Sequence, residues 1–163
     1  MRYADGPTVE HDVLVRADAE TVWELVTDIA LPARFSDEFL GARWLDDGPA
    51  VGARFVGRNR HAAMGEWETT SVVVRCERPR SFAWHVTDAE HPSSSWWYEL
   101  EQQTDGVRLR HGGRIGPAPS GLTFAIAAMP EKEERIIARR LSELGRNVDA
   151  TLQGIRALAE ARR

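Results

Sequence analysis

Residues 96–115 of the chain, WWYELEQQTDGVRLRHGGRI, decide its fold because two alternating segments there flank a tight turn. Asp105-Gly106 is a strong signal for a two-residue hairpin loop, since both residues tolerate a positive φ. This loop pairs Thr104 with Val107, and the rest of the register follows by counting outward along both strands. The further predicted pairs are Gln102 with Leu109, Leu100 with His111, Tyr98 with Gly113 and Trp96 with Ile115.

One face of this hairpin is apolar and aromatic. It holds Trp96, Tyr98 and His111, and a one-residue slip of the register would move them to the wrong side of the sheet. Gly113, predicted to lie opposite Tyr98, leaves space above the sheet for that ring. The residues that could bind or convert a ligand are therefore predicted to lie on this face.

The opposite face of the hairpin is charged. Glu101 is predicted to lie directly across from Arg110, as an exposed cross-strand ion pair does. Trp97 is the exception on this face, and a large exposed ring often marks a contact with another molecule.

The segments before the hairpin predict a strand, two helices and further strands. Val9–Val15 alternates as a strand does, and Asp18 is a suitable N-cap for a short helix that ends before Pro32. A second short helix is predicted over Ala33–Phe39. Alternating segments then predict strands at Ala42–Leu45, Gly52–Arg60, Glu66–Cys76 and Ser81–Thr87.

The C-terminal part of the chain predicts one long amphipathic helix. Leu122–Met129 is apolar and helical in pattern, and Pro130 either kinks that helix or starts a new one. The apolar stripe of the long helix consists of Ile137, Leu141, Leu144, Val148, Leu152, Ile155 and Ala159. Its arginines, Arg135, Arg139, Arg140 and Arg146, are predicted to form an exposed face over that stripe.

Composition limits the class of protein. The 163 residues suit a single domain over residues 1–163, and 42% hydrophobic with 28% charged residues is typical of a globular chain. A net charge of −4 gives no support to nucleic-acid binding. The single Cys76 excludes an internal disulfide and a cysteine zinc cluster, and the histidines lack metal-ligand spacing, so neither a metal nor a cofactor is expected. With no signal peptide in Met1–Thr8 and no membrane-length apolar run, we expect a soluble cytoplasmic protein without membrane insertion.

Five short segments in this order resemble a known superfamily over about 150 residues. They are Ala19–Asp28, Gly52–Gly57, Pro79–Trp84, Trp96–Glu101 and Gly106–His111. The chain resembles the START-like, or SRPBCC, superfamily, and within it the polyketide cyclase/dehydrase and lipid-transport group. This resemblance implies an α+β helix-grip fold. A curved antiparallel sheet of about six or seven strands would wrap a long C-terminal helix, with two short helices after the first strand.

The resemblance also implies a cavity between the concave sheet face and the long helix. The candidate ligand-binding residues are Phe35, Phe55, Asn59, Trp67, Trp84, Trp96, Tyr98 and His111. His111 is the candidate acid/base and Tyr98 the candidate donor to a carbonyl oxygen. The alternative for His111 is a core histidine bonded to a neighbouring backbone group.

The sequence leaves three functions open. The first is binding of an apolar or aromatic small molecule, polyketide-like or lipid, with catalysis of cyclisation or dehydration. The second is a carrier or sensor that binds such a ligand without converting it. The third is an interaction module that uses Trp97, and homodimerisation through that face or the sheet edge goes with it.

Overall fold

The computed structural model describes residues 1–162 and confirms the α+β helix-grip fold. Within that range the sheet has seven antiparallel strands, and the long helix is C-terminal. The strands are β1 Thr8–Val15, β2 Phe39–Trp44, β3 Arg54–His61, β4 Gly65–Glu77, β5 Ser81–Val86, β6 Ser94–Gln103 and β7 Gly106–Ile115. The helices are α1 Ala19–Val26, α2 Gly121–Ala128 and α3 Glu133–Ala161.

The strand order of the sheet is β1-β7-β6-β5-β4-β3-β2, so the first strand of the chain pairs with the last one. Helix α3 packs mainly against β1, with further contacts to α1, α2 and β7. It therefore grips one edge of the curved sheet. Strands β2 to β6 lie further from the helix, and their own side chains cover much of the concave face.

The segment between α1 and β2 differs from the prediction. Instead of a helix over Ala33–Phe39, Leu31–Arg34 forms one 3-10 turn, and Phe39 already begins β2. The cause is local: the Ser36 hydroxyl oxygen accepts hydrogen bonds from the backbone N–H groups of Glu38 (3.1 Å) and Phe39 (3.0 Å). Such a side-chain turn competes with a helix and directs the chain into the strand.

Helix boundaries elsewhere follow the sequence signals. The Asp18 carboxylate accepts a hydrogen bond of 2.8 Å from the Thr21 N–H and caps α1, as predicted. Pro130 starts a 3-10 turn immediately before α3, so the second of its two predicted roles is the observed one. The predicted stripe of α3 is buried except for the half-buried Leu141, and Thr151 is buried with it.

The predicted register of the β6–β7 hairpin is wrong by two residues. Gln103 pairs with Gly106, so the loop is Thr104-Asp105 and Tyr98 lies opposite His111. Gly106 has a φ of 151° and its α-carbon faces the carbonyl of Val15 on β1, where a side chain would collide. Glycine is therefore needed there as the first paired residue of β7, not inside the loop. Because side chains alternate with a period of two, the two-residue error leaves every residue on its predicted face.

The predicted ion pair of the hairpin survives this change. Glu101 lies directly opposite Arg108. The Arg110 guanidinium nevertheless lies 3.2 Å from the Glu101 carboxylate, as a diagonal neighbour.

Two glycines of α3 sit at its closest contacts. At Gly145 a β-carbon would meet Val9 and His11 of β1 at an ordinary 3.4 Å. At Gly154 the ring of Phe35 lies flat on the helix and occupies the place of a β-carbon. A substitution to alanine is therefore accommodated at position 145 but collides with a ring at position 154.

Gly145→Ala is expected to raise the free energy of unfolding by up to about 1 kcal/mol, because alanine favours a helix. Gly154→Ala gains the same helix propensity, but its methyl group must displace the Phe35 ring. Its free energy of unfolding should therefore be about 1–3 kcal/mol lower than that of Gly145→Ala. Urea unfolding of both variants measures the difference. Equal stabilities would show that Phe35 does not pack on the helix in solution.

Candidate functional site

A continuous set of rings covers the inner face of the sheet. Tyr98 stacks on His111 with ring centroids 4.0 Å apart and an interplanar angle of 7°. Trp96 lies 6.2 Å from His111, and Trp84 lies 5.9 Å from Tyr98. Trp84 and Trp96 also pair directly between β5 and β6. The structure therefore brings four of the predicted site residues together.

Paired glycines make room for the two adjacent tryptophans of β6. Gly113 lies opposite Trp96 and Gly112 opposite Trp97. Each indole covers its glycine, on the inner face for Trp96 and on the outer face for Trp97. The space predicted above Tyr98 is therefore taken by Trp96, as a consequence of the two-residue register error.

The other predicted site residues lie around these rings. Phe55 packs edge-on against Trp44 at 5.4 Å and Trp84 at 6.0 Å, so it belongs to the core. Asn59 and Trp67 are half-buried and pair with each other between β3 and β4. Their row lies towards the far end of β3 and β4, away from His111.

A row of small side chains separates these two groups of rings. Ala42 of β2 pairs with Gly57 of β3, which pairs with Thr69 of β4. Rows of rings lie on both sides of it, and the ring of Phe39 leans over Gly57. The Phe39 ring therefore covers the glycine at the centre of this row.

His111 is a neutral hydrogen-bonding group. Its Nδ1 donates to the backbone carbonyl of Trp97 at 2.9 Å, so Nε2 carries the free lone pair. Burial lowers the pKa of His111 to about 4, although the bond to Trp97 acts in the opposite direction. At neutral pH the imidazole is therefore an acceptor at Nε2, and it makes the backbone bond that the core-histidine alternative requires.

Tyr98 is the donor that faces the same side. Its side chain is almost fully buried, and burial raises the pKa of the phenol, so the hydroxyl keeps its proton. A protonated phenol beside a neutral imidazole offers one donor and one acceptor to a bound molecule.

A nearly buried ion-pair network lies between α3 and the β2 and β3 strands. Arg140 forms a two-pronged bond to the Glu38 carboxylate, with both distances 2.6 Å, and it also reaches Glu143 at 3.3 Å. His61 Nε2 donates to Glu143 at 3.1 Å. The prediction that Arg140 belongs to an exposed face is therefore wrong.

The pKa values of this network follow from competing effects. Burial lowers the pKa of Arg140, but the Glu38 and Glu143 carboxylates outweigh it and the net direction is upward. Burial raises the pKa of Glu143, but the bonds from His61 and Arg140 outweigh it and the net direction is downward. Both shifts favour the charged forms of Arg140 and Glu143.

A signal for Arg140 was present in the sequence. Position 140 follows the stripe residue Ile137 by three and precedes Leu144 by four, so it borders the buried side of α3. What the sequence does not show is that Glu38, about one hundred residues earlier, supplies its partner.

The segment Phe35–Glu38 runs beside α3 and is held at both ends. Phe35 rests on Gly154, and Glu38 binds Arg140. Between these two points the same side of α3 carries Asn147 and Thr151, at helical spacing. This segment therefore lies along one side of α3 and is fixed to it at two points.

The outer face of the sheet has a depression. It has a volume of about 520 Å³ and adjoins Trp97, Ala83 and Arg75. The Trp97 indole N–H donates to the Glu10 carboxylate at 2.6 Å, so its polar atom is satisfied within the chain. Within residues 1–162, no three histidine, cysteine or acidic side chains are grouped as metal ligands. Over the same range, no helix has the length and apolar character needed to cross a membrane.

Comparison with known proteins places the chain among relatives of the same fold. The family described as "Polyketide cyclase / dehydrase and lipid transport" matches residues 7–149. The polyketide-cyclase-like protein Cgl2372 of Corynebacterium glutamicum is 30% identical, with a TM-score of 0.69, over 96% of this chain and 93% of that one. No curated protein matches the chain.

Two further solved structures show the fold alone, because their identity is low. The Streptomyces aromatase/cyclase ZhuI is 21% identical, with a TM-score of 0.68, over 95% of this chain and 94% of that one. The di-domain aromatase/cyclase BexL is 19% identical, with a TM-score of 0.71. The alignment covers 96% of this chain but 50% of BexL, so the chain spans half the length of that protein.

His111 should make the stability of the protein depend on pH. The unfolded chain takes up the proton below pH 6.5, whereas the folded protein resists it to about pH 4. Stability is therefore full above pH 6.5 and falls as the pH drops towards 4, by about 3 kcal/mol from this group. Urea unfolding of wild type and His111→Phe between pH 4 and 7 checks this. Parallel pH curves for the two proteins would contradict a buried neutral His111.

Arg140→Met should lower the free energy of unfolding by about 3 kcal/mol, because the nearly buried Glu38 carboxylate then has no cation to pair with. Adding Glu38→Gln should restore part of the loss. The control is Arg139→Met, an exposed neighbour on α3, which should change stability by less than about 0.5 kcal/mol. Equal effects of the two single changes, measured by urea unfolding, would refute the buried pair.

Proposed function

Because the chain belongs to the polyketide cyclase / dehydrase and lipid transport family, we propose that it binds an apolar or aromatic small molecule, polyketide-like or lipid, between the inner sheet face and α3. The observation that carries the proposal is the stacked pair Tyr98–His111 on a face otherwise lined by apolar rings. A concave apolar site with a few polar groups is the usual form of a small-molecule site.

The aromatic rings of the inner sheet face favour a flat, apolar ligand. Trp84, Trp96 and Tyr98 present ring surfaces from neighbouring strands, and aromatic surfaces favour stacking against another ring. Asn59 and Trp67 extend the same face beyond the row of small residues, and Phe35 closes the side next to α3. These are the residues that we assign to ligand binding.

Catalysis of cyclisation and dehydration uses the donor and the acceptor together. His111 Nε2 takes a proton from the carbon between two carbonyl groups, while the Tyr98 hydroxyl donates to the enolate oxygen that forms. The carbanion then attacks a second carbonyl group of the same ligand molecule, and a carbon–carbon bond forms. The imidazolium returns its proton to the new alkoxide. Loss of a further carbon-bound proton and of that hydroxyl as water then forms a double bond in the new ring. Confinement between the rings would contribute the orientation.

A non-catalytic carrier or sensor is the second candidate. The low pKa of His111, about 4, favours it, because the base is then weak at neutral pH. In that case the same pocket binds and releases the ligand unchanged.

Incubation with a polyketide or lipid extract, followed by mass spectrometry of the bound and free molecules, distinguishes these functions. A changed product supports the enzyme, and recovery of an intact bound ligand supports the carrier. If nothing co-purifies or binds, the small-molecule function itself is refuted.

If the protein is an enzyme, His111→Ala should lower turnover of a poly-β-ketone thioester by about 10²–10⁴-fold, since it removes the base. The control His85→Ala changes a histidine whose Nδ1 donates to the Ala89 carbonyl, on the outer face, and should leave turnover unchanged. Circular dichroism verifies the folding of both variants. Unchanged turnover in His111→Ala would remove His111 from the mechanism.

A further inference from the structure

Buried hydroxyl groups in this protein fall into two sets. Thr27 donates to the Trp23 carbonyl at 2.8 Å, and Ser81 donates to the Glu99 carboxylate at 2.9 Å. The hydroxyls of Ser71, Tyr98 and Thr151 make no hydrogen bond to the described residues, although these residues are only 2–3% exposed. A buried hydroxyl without a partner costs about 1–3 kcal/mol. The second set therefore requires an explanation.

The three unbonded oxygens are not sealed from solvent. Within residues 1–162, every sealed polar side-chain atom has a hydrogen-bond partner. An unbonded oxygen of Ser71, Tyr98 or Thr151 therefore keeps a small accessible area, although its residue is buried. A ligand that reaches this area can hydrogen-bond to the oxygen.

Of the three hydroxyls, that of Tyr98 lies beside His111. Tyr98 is on the inner face of β6 and stacks on His111. Ser71 of β4 is level with Ser94 of β6, four residues from Tyr98, because both pair with Val86 of β5. Thr151 lies on the buried side of α3. The Tyr98 hydroxyl is therefore the donor that a ligand at His111 would meet.

His111 adds an acceptor to this donor. Its Nδ1 is bonded to the backbone of the sheet, so Nε2, on the far side of the ring, points away from the sheet. Its parallel stacking on Tyr98 places the free nitrogen beside that ring. The site thus offers one hydroxyl group and one lone pair.

Arg140, the arginine that borders the buried side of α3, is not free to pair with a ligand, because both Glu38 and Glu143 hold it. His11 is the cross-strand neighbour of His111, but it is exposed. A carboxylate beside Tyr98 would therefore be buried without a guanidinium to pair it, and its oxygens would face the His111 lone pair. Burying a charge under these conditions is strongly unfavourable.

We propose that Tyr98 and His111 form a polar subsite that selects uncharged ligands with a ring-bound hydroxyl over carboxylates of the same shape. The ligand hydroxyl donates to His111 Nε2 and accepts from the Tyr98 hydroxyl. This inference rests on the proposed function, since it specifies the chemistry of the ligand in that same pocket.

Three compounds of one shape test the subsite at pH 7: naphthalene, 2-naphthol and 2-naphthoate. Wild-type protein should bind naphthalene, bind 2-naphthol about 5–10-fold more tightly through the added hydrogen bonds, and bind 2-naphthoate at least 10-fold more weakly than naphthalene. NMR titration of the tryptophan indole N–H signals gives the affinities. A shift of Trp96 without one of Trp97 places the ligand on the inner face.

Two variants assign the preference to its residues. His111→Phe keeps an aromatic ring but removes the acceptor, so it should retain naphthalene binding and lose the preference for 2-naphthol. Tyr98→Phe should lose part of that preference and serves if His111→Phe does not fold. The control His85→Phe changes an outer-face histidine and should behave as wild type.

The outcomes separate this inference from the proposed function. If naphthalene does not bind on the inner face, both are refuted. If naphthalene binds there but 2-naphthol binds no better, or 2-naphthoate binds equally well, the polar subsite is refuted and the apolar pocket stands. If His111→Phe and Tyr98→Phe both keep the preference for 2-naphthol, these residues do not form the subsite.

Discussion

The position of α3 against one edge of the sheet is the constraint on which the rest of the structure depends. Because the helix packs mainly on β1, the inner faces of the more distant strands must be covered by their own side chains or by a ligand. Large rings meet this requirement on Trp84, Trp96 and Tyr98, since each covers a wide area from a single position. The Glu38–Arg140 pair then ties the free side of the helix to the far end of the sheet.

The same geometry explains why polar groups persist in the interior. A sealed core would penalise the unbonded hydroxyls of Ser71, Tyr98 and Thr151, and each of these oxygens keeps a small accessible area. His111 is tolerated because its Nδ1 has a backbone partner and burial keeps it neutral. The interior is therefore both apolar enough to hold rings and polar enough to orient one.

Sequence patterns predicted faces more reliably than contacts. The alternation in residues 96–115 placed Trp96, Tyr98 and His111 together, because a two-residue register error preserves side-chain direction. The pairing itself was missed, since the role of Gly106 depends on the approach of Val15, which no local pattern contains. Arg140 was missed for a similar reason. Its burial depends on Glu38, and the segment that carries Glu38 is shaped by Ser36 rather than by helical periodicity.

Catalysis and carriage make different demands on the stacked pair. A carrier needs only that Tyr98 and His111 satisfy the polar atoms of its ligand, and a neutral imidazole with a protonated phenol does so at neutral pH. An enzyme needs in addition a base whose pKa lies near the working pH, and burial moves His111 in the opposite direction. Any chemistry in this pocket must therefore derive most of its rate from orientation between the rings, with His111 receiving a proton only as the ligand's own charge develops beside it.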